Sequence, residues 1–242
     1  MSPEAQVMEP ITKDDVGTTP PANGPGARAE AYSFSSEIVM LSDPKGVRAE
    51  GIRTLRTHIM AQHVDDGRRG LAICSPNGGV GATFTAVNLA VALAQIGVKV
   101  LLIDGDLRLA EVNEFIRPPT PVAGLRQVLE GSEADFSLNI QTDVLENLAV
   151  LFAGGISGGA QELLATDRFG NVAERCLRDF DLTIIDTPPA NRCADARRIS
   201  TVAGYSLIVA KRDLTFINDL KALAGQLRED RAQIVGTVLN EA

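Results

Sequence analysis

Between residues 71 and 108 the chain reads LAICSPNGGVGATFTAVNLAVALAQIGVKVLLIDGDLR, an order of patterns that leaves few folds open. Residues 71–74 form a short apolar run, long enough for a buried strand. Residues 75–81 follow as a loop with three glycines, Gly78, Gly79 and Gly81, in its last four positions. From Thr83 to Ile96 apolar residues recur at helical spacing (Val87, Leu89, Ala90, Val91, Leu93, Ala94), and Gly97 stands where a helix stops. A second apolar run, residues 98–103, ends in Asp104-Gly105-Asp106.

Strand, glycine loop, helix is the architecture of a phosphate cradle. Glycines let backbone N–H groups turn toward one point, and the helix N-terminus adds positive partial charge there. The phosphate-loop pattern is G-x-x-x-x-G-K-[ST]. Gly81 and Thr83 fit it, and the loop residues Asn77, Gly78, Gly79, Val80, Gly81, Ala82, Thr83 and Phe84 are the expected phosphate-facing set. Two positions depart: Pro76 stands for the first glycine and Ala82 for the lysine that reaches the β and γ phosphates.

The net charge of −8 and the lack of a basic, aromatic surface pattern argue against nucleic-acid binding. Cys74, Cys176 and Cys193 are scattered without metal-ligand spacing and read as reduced thiols of a cytosolic protein. The polar, Pro-rich start does not resemble a signal peptide, and no run approaches the ~20 apolar residues that span a bilayer. Any membrane association is therefore expected through a partner. Residues 1–35 are expected to be a disordered tail and residues 36–242 one α/β domain.

Along that domain, residues 37–41 are expected to be a strand and 47–63 a helix. A short helix is expected over 107–116, another over 124–130, and a strand over 148–152. One helix is expected over 161–177, then a strand at 182–185 closed by Asp186-Thr-Pro-Pro189. A helix at 193–202, a strand at 205–210, a helix at 215–228 and a strand at 232–239 complete the chain. Strands alternating with helices predict a mostly parallel sheet covered on both faces, with ligands at the carboxyl ends of its strands. The glycine loop, Asp104, Asp106 and Asp186 all fall just after strands. Phosphoryl transfer needs Mg2+ held by a hydroxyl and carboxylates, which suits Thr83, Asp104 and Asp186 as metal-site residues, with one of Asp104 and Asp106 left to orient a nucleophile. Glu50, Arg53 and Arg56 are three apart on one helical face, either a solvated face or a subunit contact.

The glycine loop opening FTAVNLAVALAQIGVKV, then LLIDGDLR, then FDLTIIDTPP, resembles the bacterial tyrosine kinases of exopolysaccharide export, relatives of the MinD/ParA partition ATPases. The resemblance covers residues 37–242 and implies a P-loop NTPase fold of deviant Walker type, with ATP or ADP and Mg2+ as cofactors. It sets the Walker A, A′ and B motifs on residues 75–83, 101–108 and 182–186. It further implies ring assembly through Glu50, Arg53 and Arg56 (E-x-x-R-x-x-R), an adenine-side role for Asn240, and a membrane polysaccharide co-polymerase as activating partner at the inner membrane. Asn77 stands where partition ATPases carry a signature lysine, which favours the kinase branch. Ala82 at the Walker lysine position implies little catalysis. The family's C-terminal tyrosine cluster is absent: the chain has two tyrosines, Tyr205 read as core and Tyr32 as the one candidate phosphoacceptor. A non-catalytic nucleotide-dependent scaffold and a partition-type ATPase stand as alternatives.

Overall fold

Three strands decide the architecture. β2 (Gly70–Cys74), β3 (Val100–Asp104) and β7 (Leu182–Asp186) are buried at every residue, so each needs a neighbour on both sides and cover on both faces. The computed structural model describes residues 32–131 and 136–241. In it these strands join β5 (Gln141–Leu145), β6 (Leu148–Leu151), β8 (Tyr205–Lys211) and β9 (Gln233–Asn240) in a seven-stranded sheet of order β5-β6-β3-β7-β2-β8-β9. All pairings in it are parallel except β5–β6. The expected α/β architecture with a mostly parallel sheet is what the chain adopts.

Alternate side chains of each strand enter different cores. Leu71 and Ile73 of β2 pack with α3 (Ala82–Ala94) and with α2 (Val47–Ile59) behind it. Ala72 and Cys74 face α8 (Asp195–Ala203), joined in the same core by Phe169 and Cys176 of α7 (Asp167–Asp179) and Leu223 and Leu227 of α9 (Ile217–Glu229). Each fully buried Leu, Ile or Val contributes about 1.5–3 kcal/mol of transfer free energy, so both faces are needed. α3 is the central helix: every residue from Thr85 to Ala94 is buried.

The strand order creates the crevice. The chain leaves β2, crosses through α3 and enters the sheet again as β3, two places away; β7 later fills the gap. The carboxyl ends of β2, β7 and β3 are thereby side by side, with Ile73 opposite Asp186 and Asp104 opposite Asp186.

Some local expectations are corrected. Residues 37–41 are not a strand: α1 (Val39–Ser42) is a single helical turn in which the Ser42 hydroxyl donates to the Ile38 carbonyl at 3.1 Å and Asn88 of α3 binds the backbone of Glu37 and Met40. With side-chain groups taking those backbone atoms, no sheet edge is needed. Residues 107–116 hold only α4 (Val112–Phe115), because Ala110 adopts a left-handed φ of 57° that a helix cannot include. β1 (Ser33–Phe34) and β4 (Ile116–Arg117) then pair antiparallel. α5 (Leu125–Glu130) forms as expected. The helix expected over 161–177 is two, α6 (Ala160–Ala165) and α7, because Thr166 is extended (ψ 154°) and serves as the N-cap position of α7. Most of the expected tail, residues 1–31, lies outside the described residues; the folded part reaches back at least to Tyr32. Among the described residues no helix is long and apolar enough to cross a membrane.

Candidate nucleotide site

Two glycines shape the loop after β2. Gly79 (φ 74°) and Gly81 (φ 88°) are left-handed, and Gly81 is the N-cap of α3, its carbonyl accepting the Thr85 N–H at 3.0 Å. Gly81 is also held by lack of space: a β-carbon there would lie 2.4 Å from Asn240 Nδ2. A cavity of about 420 Å³ opens over the loop, lined by residues 78–84 and by Asp106, Glu111, Thr187 and Arg192.

Thr83, in the first turn of α3, donates its hydroxyl to Asp186 Oδ2 at 2.7 Å. The other oxygen of Asp186 is buried and has no hydrogen-bond partner among the described residues. Burial pushes the Asp186 carboxyl up to about 7, opposed by the Thr83 hydrogen bond and reinforced by the charges of Asp106 and Glu111. Asp104 is held well above the usual carboxylate range, first by burial and then by the neighbouring charges of Asp186 and Asp106. Its two oxygens accept the Asp106 and Val112 N–H groups at 3.2 and 3.3 Å. Asp106 accepts the Arg108 and Leu109 N–H groups at 2.9 and 3.1 Å through Oδ1.

The structure thus brings most of the expected residues to one sheet edge but divides them between two cavities. Asp106 and Thr83 line the phosphate-loop cavity, and Asp186 is hydrogen-bonded to Thr83. Asp104 lines an adjoining cavity of about 490 Å³ with Asn113, Arg117 and the prolines at 118, 119 and 121. Asn77 does not line the cavity over the loop; its amide donates to Asp219 at 3.4 Å. Asn240 reaches the loop itself, donating to the Val80 carbonyl at 3.1 Å. Tyr205 opens β8 half-buried against His63, and the Tyr32 hydroxyl donates to Gln141 at 3.4 Å.

The donor set suits magnesium, a hard ion that takes oxygen ligands and keeps part of its shell for water and phosphate. A threonine hydroxyl beside a buried carboxylate with an unpartnered oxygen is such a set. Among the described residues no three His, Cys, Asp or Glu side chains are grouped tightly enough to bind a metal alone.

On α2, Glu50 pairs with Arg53 at 3.0 Å, Arg53 also donates to the Pro44 carbonyl, and Arg56 donates to the Ala92 carbonyl at 3.3 Å. These three lie on the helix behind α3, outside both cavities. The sequence reading missed Arg192 and Glu111 as lining residues, and missed Asp195, buried and bound by Arg108 at 2.8 Å. An arginine three residues before the start of an unremarkable helical run carries no motif that would have flagged it.

The parallel sheet, the glycine loop at its switch point and the Thr83–Asp186 pair define the P-loop NTPase class. A family model described as an AAA domain matches residues 68–232. The tyrosine-protein kinase YwqD of Bacillus subtilis is 32% identical over 84% of this chain and 85% of its own length. CpsD, a tyrosine-protein kinase of Streptococcus pneumoniae, is 32% identical over 71% of this chain and 75% of its own. The kinase domain of the Escherichia coli tyrosine kinase ETK superposes with a TM-score of 0.78 at 28% identity, covering 85% of this chain and 80% of that one. Within the P-loop class, the chain belongs to the bacterial tyrosine-kinase family. Some relatives are much longer: the chain spans 28% of the tyrosine-protein kinase wzc of Salmonella typhimurium.

Proposed function

We propose that this chain binds ATP with Mg2+ as a cytoplasmic regulatory module of exopolysaccharide or capsule assembly, docked on a membrane polysaccharide co-polymerase, and that its catalysis is crippled. The observation that carries the reading is the Thr83–Asp186 pair at the foot of a glycine cradle whose lysine position holds Ala82. Bound magnesium would neutralise phosphate charge there. Thr83 and Asp186 would hold it, and Asp106, which lines the same cavity, would orient an attacking hydroxyl. Asn240, fixed to Val80, supports the far side of the loop.

A charge-assisted contact to phosphate is worth about 1.5–3 kcal/mol, so an alanine at position 82 weakens ATP binding by about one to two decades. The greater loss falls on the transition state, where that charge is needed most. Ala82→Lys should therefore create or raise magnesium-dependent ATP turnover, measured as phosphate release and as tyrosine phosphorylation. If both forms stay silent even with the partner's cytoplasmic segment present, the enzymatic part of the reading is lost.

A second reading is a nucleotide-dependent scaffold, in which bound nucleotide sets self-assembly through Glu50, Arg53 and Arg56. It is favoured by Ala82 and by the partial exposure of both arginines on the outer helix.

A further inference from the structure

The phosphate cavity has a cation, though not where the motif puts one. Ala82 offers a methyl group, and Asp106 and Glu111 add negative charge. Among the described residues, Arg192 is the only lysine or arginine that lines the cavity. Its guanidinium stands over the loop: a β-carbon on Gly78 would lie 3.5 Å from Nη2 and 3.7 Å from Cζ.

The backbone fixes this approach. After β7 the chain is clipped to the start of the glycine loop, with the Ala190 N–H donating to Ser75 at 2.9 Å and the Asn191 N–H donating to Pro76 at 3.1 Å. The Arg192 N–H then donates to the Pro189 carbonyl at 3.1 Å, closing a tight turn. The residue next to these clips is therefore delivered to the cradle by the same two positions, Ser75 and Pro76, that begin it.

The side chain is also uncommitted. Arg108 is bound to Asp195 and Arg197 to Asp230 at 2.5 Å, whereas the Arg192 guanidinium makes no hydrogen bond or ion pair among the described residues. It keeps five N–H donors in a planar fork that matches phosphate oxygens. An uncommitted guanidinium over a glycine loop that opens a helix is complementary to an oxyanion, and the backbone of such a loop selects a phosphoryl group.

We infer that Arg192 is the phosphate-binding cation of this site, supplying from the loop after β7 the charge that position 82 does not. The inference rests on the nucleotide-binding reading above and deepens it. It makes this site a rearranged cradle, able to hold ATP while lacking the lysine geometry that serves the transition state.

The test is titration calorimetry of Mg·ATP against the full chain and four variants: Arg192→Ala, Arg192→Gln, Ala82→Lys, and Ala82→Lys combined with Arg192→Ala. The expected result is a loss of about tenfold or more in affinity for both single Arg192 variants, the scale of one charge-assisted contact. The double variant should regain affinity, because the new lysine replaces the lost charge. Arg192 is exposed, so unchanged melting curves should accompany the losses. If the unsubstituted chain binds Mg·ATP and both Arg192 variants bind equally well, the role of Arg192 is overturned and the nucleotide reading stands. If the unsubstituted chain does not bind but Ala82→Lys does, the nucleotide reading of this chain falls and the Arg192 inference falls with it.

Discussion

The two ends of β2 treat buried ionisable groups in opposite ways. At the amino end, His63 is fully buried, its Nε2–H donating to the Gly70 carbonyl at 3.0 Å and its ring edge-on to Tyr205 at 4.9 Å. Nδ1 has no partner among the described residues, and burial above all lowers the imidazole pKa to about 4, so the ring stays neutral. At the carboxyl end, Asp104 and Asp186 are buried next to each other in register; burial raises both, and neighbouring acids add to it, Asp186 and Asp106 for Asp104, Asp106 and Glu111 for Asp186. One end places a single titratable group where its neutral form fits. The other crowds carboxylates whose repulsion a proton or a bound cation relieves. The first arrangement favours the folded state near neutral pH, and the second suits the cation proposed for it.

The largest effect should come from acidifying the amino end. Below pH 6.5 the unfolded chain takes up a proton on His63 that the folded chain resists until about pH 4. Stability is therefore full above 6.5 and is lost as pH falls from 6.5 toward 4, by roughly 3 kcal/mol for this group. Urea unfolding at pH 7 and pH 4.5 measures it. In His63→Gln the chain should be weaker at pH 7 but should lose less on acidification. An equal loss in both forms would show that other groups set the acid limb, and would remove the amino end from the comparison.

The next effect belongs to the carboxyl end and has the opposite sign for stability. Asp186→Asn removes a buried charge beside Asp104 and Asp106 yet keeps an acceptor for the Thr83 hydroxyl. Magnesium-dependent ATP binding should fall about a hundredfold, near 2.7 kcal/mol, while the melting temperature of the free protein stays level or rises. A variant that binds normally would break the assignment of this end to a ligand. A variant that binds poorly because it melts early would make Asp186 a structural residue.

The carboxyl end was far more legible in the sequence than the amino end. Glycines at Gly78, Gly79 and Gly81 and aspartates after apolar runs are dictated by backbone geometry and charge, so their spacing survives as a pattern. The continuous apolar runs of β2, β3 and β7 likewise announced buried parallel strands. What did not show was whatever depends on distant neighbours. His63 looked like the end of a helix, and its role comes from a five-residue π-helical turn, Met60–Val64, that carries it under Gly70. Residues 37–41 looked extended because they are apolar, but Asn88, about fifty positions away, captures their backbone. The short antiparallel edge strand β5 has little alternation to reveal it, only Val144 being buried. Arg192 belongs to the same class: nothing near it in the chain says that Ser75 and Pro76 will hold its loop against the cradle.

The smallest effect on stability should come from the outer helix, and it separates that surface from both ends of β2. The Glu50–Arg53 pair at 3.0 Å has one partner largely exposed, so removing it should change monomer stability by no more than about 0.5 kcal/mol. If Arg53 meets an acid on a neighbouring copy, Arg53→Ala should nonetheless abolish assembly in sedimentation runs with Mg·ATP, leaving nucleotide affinity unchanged. Loss of assembly with intact stability and binding would mark α2 as a third functional region, independent of the charges at the carboxyl edge. Assembly that survives both Arg53→Ala and the removal of nucleotide would return Glu50, Arg53 and Arg56 to an ordinary solvated face, and the scaffold reading would lose its surface.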